Sequence, residues 1–307
     1  MKIGINKSAK RVLSLVIAFA MFVGTLFVAN VGIEVSAKSA SVVYWSGSYD
    51  TSLSGSGTAE NPYLITNADE FAALAAGKLA TTKHYKVSGV DTFYMFSQNN
   101  DWIKDVLDSS AISEVKSLLS SEDAPAWPSS ATFEGVLDGN GATIYGMAAK
   151  NVANAGIFAS LKGGTVKNFV IEKSYFSGTS NAGAISGQGS WSRPDTTTYS
   201  PTITILGCVV RDCYIEGSST CGGFIGNSGY SGVVIDSCLA ADNFIVKDGT
   251  AVPWPAFVSS SDTVIGSINV PTIVKNSIAV DILPKAGDVN AGTHKEIRNC
   301  YTTRNIS

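Results

Sequence analysis

The chain has 307 residues, of which 15% are charged and 45% hydrophobic, and a formal net charge of −3. Sparse, net acidic charge excludes nucleic acid and anionic lipid as electrostatic partners. The Gly-, Ser-, Thr-, Val- and Ile-rich texture beyond residue 40 excludes a disordered chain, because it supplies enough β-branched material for a core.

Lys2, Lys7, Lys10 and Arg11 precede an apolar run from Val12 to Val28, and Val35-Ser36-Ala37 offers a small-residue cleavage site. Residues 1–37 therefore read as an export signal, with the mature chain starting near Lys38. An uncleaved anchor is the rival reading, since the run approaches the length of a span. In both readings the bulk of the chain is exported, and loss of the basic signal leaves it more acidic.

Residues 38–130 read as an N-terminal α+β cap. A short strand is expected around Tyr63 to Ile65. A helix follows, with Asn67 as N-cap, Glu70 completing a capping box, and Phe71, Leu74 and Ala75 on one face. HYKVSGVDTFYMF alternates like a strand, residues 101–119 carry a second helical pattern, and EDAPAWPSS is a Pro-marked linker.

From Ala131 the texture changes to short β-branched runs separated by Gly and Asn. Five segments share one core: VKNFVIEKSYF from Val166, ILGCVVRDCYI from Ile205, IDSCLAADNFI from Ile235, VKNSIAVDIL from Val274 and IRNCYTTRNI from Ile297. Their starts are 39, 30, 39 and 23 residues apart, and a Gly-rich piece recurs between them at Asn154, Asn181 and Thr220. Such intervals predict residues 131–307 to be a β-solenoid whose coils bury an apolar face only by stacking, with insertions gathered on one side.

The alignment places Phe169, Cys208, Cys238, Ser277 and Cys300 in one inward column. Stacked coils lie about 4.8 Å apart, close enough for neighbouring cysteines to bond, but small buried hydrophobes are the favoured reading. Cys213 and Cys221 fall outside this column and are the better disulfide candidates. The column one position earlier holds Asn168, Gly207, Ser237, Asn276 and Asn299, where Asn suits hydrogen bonds from coil to coil at a bend.

The pieces GSGTAENPYLITNADEFAALA, FEGVLDGNGATIYGM, NAGIFASLKGGTVKNFVI and CGGFIGNSGYSGVVIDSC together resemble bacterial cell-surface proteins carrying GLUG-type repeats on a right-handed parallel β-helix. The resemblance covers most of residues 45–240 and fades afterwards. Ile185-Ser186 and Phe257-Val258 stand where a Gly-Phe-Gly is expected. It implies surface display or binding and supplies no catalytic residues to carry over; the chain as a whole is expected to be a secreted or surface-displayed, monomeric module that binds carbohydrate or a host or matrix protein.

Enzyme chemistry has one foothold. In register, Asp212, Asp242 and Asp281 form a file of acids over three coils, flanked by Lys173 and Arg304. Its functional readings are a Ca²⁺ site or a carboxylate pair of a polysaccharide lyase or glycoside hydrolase; its structural reading, which the missing supporting context favours, is a solvated file of turn-forming Asp. His84 and His294 are far apart and the cysteines form no CxxC, so neither a triad nor a zinc site has support, and no cofactor is expected.

Binding has better material. Trp191, Tyr199, Tyr230 and Trp254 fall in or near connections on one inferred edge, where aromatic faces among Ser, Thr and Asn suit sugar rings or protein; alternatively they cover the flank. A structural stalk is the remaining reading. The chain stops after a strand core with no polar cap, so truncation after Ser307 is expected. Asp138-Gly139-Asn140-Gly141 fails as an EF-hand, since Ala142 and the lack of a closing Glu break the ligand set. It is expected to be a tight corner in the first coil, with Gly139 and Gly141 at positive φ.

Overall fold

Runs of three residues with an apolar centre form strands in which the central side chain points one way and its neighbours the other. That is the unit from which the chain is built in the computed structural model, which describes residues 41–189, 200–251, 257–259, 263–265, 268–270, 272–280, 296–298 and 301–302. The protein is mainly β, with parallel sheets. Sheet 1 has eight strands, from Val42–Tyr44 through Thr143–Tyr145, Val170–Glu172, Val209–Arg211 and Leu239–Ala241 to Tyr301–Thr302. Sheet 2 also has eight, from Tyr63–Ile65 through Val136–Asp138, Thr165–Lys167, Ser200–Leu206 and Ser231–Asp236 to Glu296–Arg298. Sheet 3 carries Ala148–Ala155, Tyr175–Ala182, Tyr214–Gly217 and Phe244–Lys247; sheet 4 carries Thr132–Phe133, Phe158–Leu161, Ser186–Gly189 and Ile225–Asn227. One repeat visits sheets 2, 1, 3 and 4 in that order.

The register follows the sequence alignment: Val166 faces Ile205, Ile205 faces Ile235, Ile235 faces Val274 and Val274 faces Ile297. The central residues Leu137, Val166, Ile205 and Ile235 of sheet 2, and Ile144, Ile171 and Val210 of sheet 1, are fully buried and build one continuous core. The repetition starts earlier than Ala131. Tyr63, Tyr85 and Leu137 stand in one row, as do Val42, Thr92 and Thr143, so strands from the N-terminal region open both long sheets.

Helix α1, Ala68–Ala75, has the expected capping box: the Glu70 N–H donates to Asn67 Oδ1 at 2.9 Å and the Asn67 N–H to Glu70 Oε2 at 3.2 Å. All of it except Asp69 is buried, and Phe71 lies against Phe93, Trp127 and Phe169. The second helical region is two helices, α2 (Trp102–Ser109) and α3 (Ile112–Leu119), broken where Ser110 and Ala111 take extended backbone. Ile103, Leu107, Val115 and Leu119 bury a separate cluster against Phe96, Tyr145, Tyr175 and Tyr214 on the outer faces of sheets 1 and 3. Lys150 fastens the chain after α3 by donating to the Leu119, Ser121 and Ala124 carbonyls at 3.1, 2.5 and 2.7 Å.

Candidate functional site

The Asp138–Gly141 stretch is a corner between sheets 2 and 1. Asn140 and Gly141 take the left-handed conformation at φ 52° and 85°, whereas Gly139 does not, which corrects the expectation for that glycine. Gly139 has another reason to lack a side chain: a Cβ there would lie 2.5 Å from the Asn168 carbonyl oxygen. The corner is also not in the first repeat, because earlier strands precede it in both sheets. Asp138 accepts from the Asn140 N–H and from Asn168 Nδ2, both at 2.9 Å, with Lys167 Nζ at 3.2 Å. Burial alone would raise its carboxyl, but these bonds outweigh it and hold the pKa below the ordinary carboxylate value. Asp236 repeats the device with Asn276 Nδ2 at 2.9 Å and Lys275 at 3.2 Å. The Asn column therefore does bond from repeat to repeat, with Asp as partner, and Asn168, Gly207, Ser237 and Asn276 all have φ between 52° and 60°.

The acid file forms in part. Arg211 faces Ala241, so Asp212 and Asp242 occupy the same corner in adjacent repeats, while Asp281 lies outside the described residues. Asp212 and Asp242 have φ 52° and 55°, and Lys173 in the preceding repeat has 50°. Asp suits this left-handed position because its short side chain bonds locally. Among the described residues no group of three or more His, Cys, Asp or Glu is placed to hold a metal ion. The file thus has the geometry of turn-forming residues.

One residue further on, Met147, Ser174, Cys213 and Asn243 form a second inward column. The Met147 N–H donates to Ser174 Oγ at 3.1 Å and the Cys213 N–H to Asn243 Oδ1 at 3.0 Å. The expected first column does the same: the Cys208 N–H points at Cys238 Sγ at 3.4 Å, and the Cys238 N–H donates to Ser277 Oγ at 3.1 Å. Each left-handed corner turns the next N–H inward, where only the following repeat offers an acceptor. Cysteine here is a soft polar group at a corner as well as a small hydrophobe. Cys208, Cys213, Cys221 and Cys238 are all buried free thiols, which corrects the disulfide expectation for Cys213 and Cys221; Cys300 lies outside the described residues. Burial pushes the Cys238 and Cys221 thiols up to about 11 and Cys208 to about 12, so none is poised as a nucleophile.

Sequence reasoning missed a polar cluster where α3 meets sheet 3. Glu216 accepts from Lys116 Nζ at 2.5 Å, from the Tyr175 hydroxyl at 2.5 Å and from Ser177 Oγ at 3.1 Å. Burial would raise the Glu216 carboxyl, but Lys116 and Tyr175 together bring it below its ordinary value, the state of a fixed carboxylate rather than of a general acid. An open depression of about 210 Å³ beside it is lined by Gly178, Glu216, Ser218 and Asp248. The only advance signal was the outward alternation of Tyr175, Ser177, Tyr214 and Glu216; that Lys116 reaches them from a hundred residues away was not readable.

Of the aromatic candidates, Tyr230 sits half-buried in a turn, and Trp191, Tyr199 and Trp254 lie outside the described residues. His84 is on a sheet 2 strand facing Val136, and His294 is likewise outside the described residues. No helix among the described residues is long and apolar enough to cross a membrane. No family model, curated protein or solved structure matches the chain.

Proposed function

We propose that the chain is a right-handed parallel β-helix with GLUG-type repeats, exported through residues 1–37, that acts as a monomeric, non-catalytic interaction module of the secreted or cell-surface kind. Its ligand class is extracellular carbohydrate or a host or matrix protein. The observation that carries this reading is the use of the acids. Asp138, Glu216 and Asp236 are held in bonds between neighbouring repeats, Asp212 and Asp242 form corners, and among the described residues every carboxyl with a resolved shift moves down. Hydrolysis of a glycosidic bond by paired carboxyls needs one kept protonated beside a second, the opposite arrangement. A stack so braced is a rigid support for surface side chains.

The test is twofold. The full chain, expressed in a bacterial host with its N-terminal segment, is expected in the secreted or cell-wall fraction and to bind at least one member of a glycan and matrix-protein panel. Release of oligosaccharide from any neutral or acidic glycan, abolished in Asp242→Asn, overturns the non-catalytic reading in favour of a lyase or hydrolase.

A further inference from the structure

With Trp191 and Trp254 outside the described residues, three tryptophans remain, and their settings differ sharply. Trp45 and Trp127 are 2% and 1% exposed, whereas Trp102 is 45% exposed. Trp102 is not a core residue displaced by fraying, because Ile103 and Leu107, on the adjacent face of α2, are completely buried. Val106, one turn on, is 39% exposed and widens the apolar surface.

Exposed polar residues lead into Trp102 along the chain. A 3₁₀ turn, Gln98–Asn100, runs directly into it through Asp101, and Gln98, Asn99 and Asp101 are exposed. The Asp101 carboxylate is fixed in place by the Tyr44 hydroxyl, which donates to Oδ1 at 2.8 Å. Tyr44 in turn lies 5.0 Å from the Tyr94 ring. Paired donors and acceptors on planar amides and a carboxylate match the vicinal hydroxyls of a sugar, and an exposed indole face matches the C–H face of its ring. Charge narrows the class. Asp101, Asp105 and Asp108 outnumber Lys104, which is bonded to Asp108 at 2.8 Å, and Lys173, which donates to the Ser110 carbonyl, so uronate or sulfate polymers meet repulsion.

We propose that the Gln98–Val106 surface is a binding site for a neutral glycan, with Trp102 as the stacking platform and Asp101, Gln98 and Asn99 as hydroxyl partners. This rests on the reading of the chain as a carbohydrate-binding module and locates a site on α2, apart from Trp191, Tyr199, Tyr230 and Trp254.

The experiment titrates the full chain with a neutral β-glucan oligosaccharide series, a mannan and polygalacturonate, following calorimetry and tryptophan emission. Expected are binding of a neutral glycan with a blue shift, at least a ~10-fold loss of affinity in Trp102→Ala, and partial retention in Trp102→Phe. Should Trp102→Ala alter the unfolding midpoint, Gln98→Ala and Trp102→Phe decide, since both keep the helix seated; unchanged affinity in the pair overturns the site. If the wild type binds a neutral glycan and Trp102→Ala binds it equally well, the site is wrong while the module reading stands. If no neutral glycan binds, the site falls, and the module reading falls with it only if the chain also binds nothing on the glycan and matrix-protein panel. Preference for polygalacturonate, or a dimer that Trp102→Ala makes monomeric, overturns the proposal and assigns the surface to another partner.

Discussion

Ser174→Ala is the sharpest test of the corner columns. Ser174 is completely buried, its Oγ accepts from the Met147 N–H at 3.1 Å, and it donates to the Glu172 carbonyl at 2.8 Å. Removing the hydroxyl strands a buried N–H, which costs roughly 1–3 kcal/mol, and deletes a second bond worth about 1 kcal/mol net. A total of about 2–4 kcal/mol is expected, measured as the change in urea midpoint at constant slope. Ser174→Cys supplies the group that Cys213 places at the same position one repeat on, keeps a weak acceptor, and is expected to lose about half as much. Amide exchange at Met147 should speed up in Ser174→Ala more than at the neighbouring buried amides. Equal losses for the Ala and Cys variants, with Met147 exchange unchanged, would refute the idea that the corner side chain serves the N–H of the repeat before it.

Glu216→Gln is expected to destabilise by about 1–2 kcal/mol at neutral pH, since it weakens bonds to Lys116 and Tyr175 on a partly exposed site. The folded Glu216 pKa is below 4.5, so its contribution is full above that value and fades as pH falls; the Lys116 contribution, with a pKa raised above 10.5, is full below that value and fades as pH rises. Denaturation midpoints of wild type and variant should therefore converge in acid. Gly183→Ala places a Cβ 2.6 Å from the Gly226 backbone nitrogen and 2.7 Å from the Ser186 oxygen, and overpacking of about 1–3 kcal/mol should appear in the same assay. A thiol reagent should leave Cys208, Cys213, Cys221 and Cys238 unmodified in the native protein and label all four after unfolding without reductant; peptide mapping that found Cys213 or Cys221 oxidised would contradict the buried free thiols.

The repeat was legible because it is written twice, in the spacing of β-branched residues and in the left-handed corner that follows them. Val166, Ile205, Ile235, Val274 and Ile297 pair as their alignment requires, since a slip of one residue would turn every core side chain outward. The second corner was equally readable. Ser174, Cys213 and Asn243 each stand five residues after the first column, but three different residue types share the acceptor role there, so no single residue identity marks it. The N-terminal rows were harder, because Tyr63, Tyr85 and Leu137 lack the Asn or Cys marker and a helix interrupts them. The exposure of Trp102 had no signature of its own: in sequence it belongs to the same apolar pattern as Ile103, Val106 and Leu107, and only the placement of α2 against the sheets separates the buried from the exposed members.

The direction of the corner bonds gives the stack a polarity in time. For the inward N–H groups at both corners the donor belongs to the earlier repeat and the acceptor to the later one: Met147 to Ser174, Cys208 to Cys238, Cys213 to Asn243 and Cys238 to Ser277. A chain that emerges N-terminus first during synthesis presents each repeat with these inward N–H groups still unanswered, and the arrival of the next repeat answers them. Assembly then advances like a ratchet, each added repeat sealing its predecessor, and slipping back would reopen a buried donor.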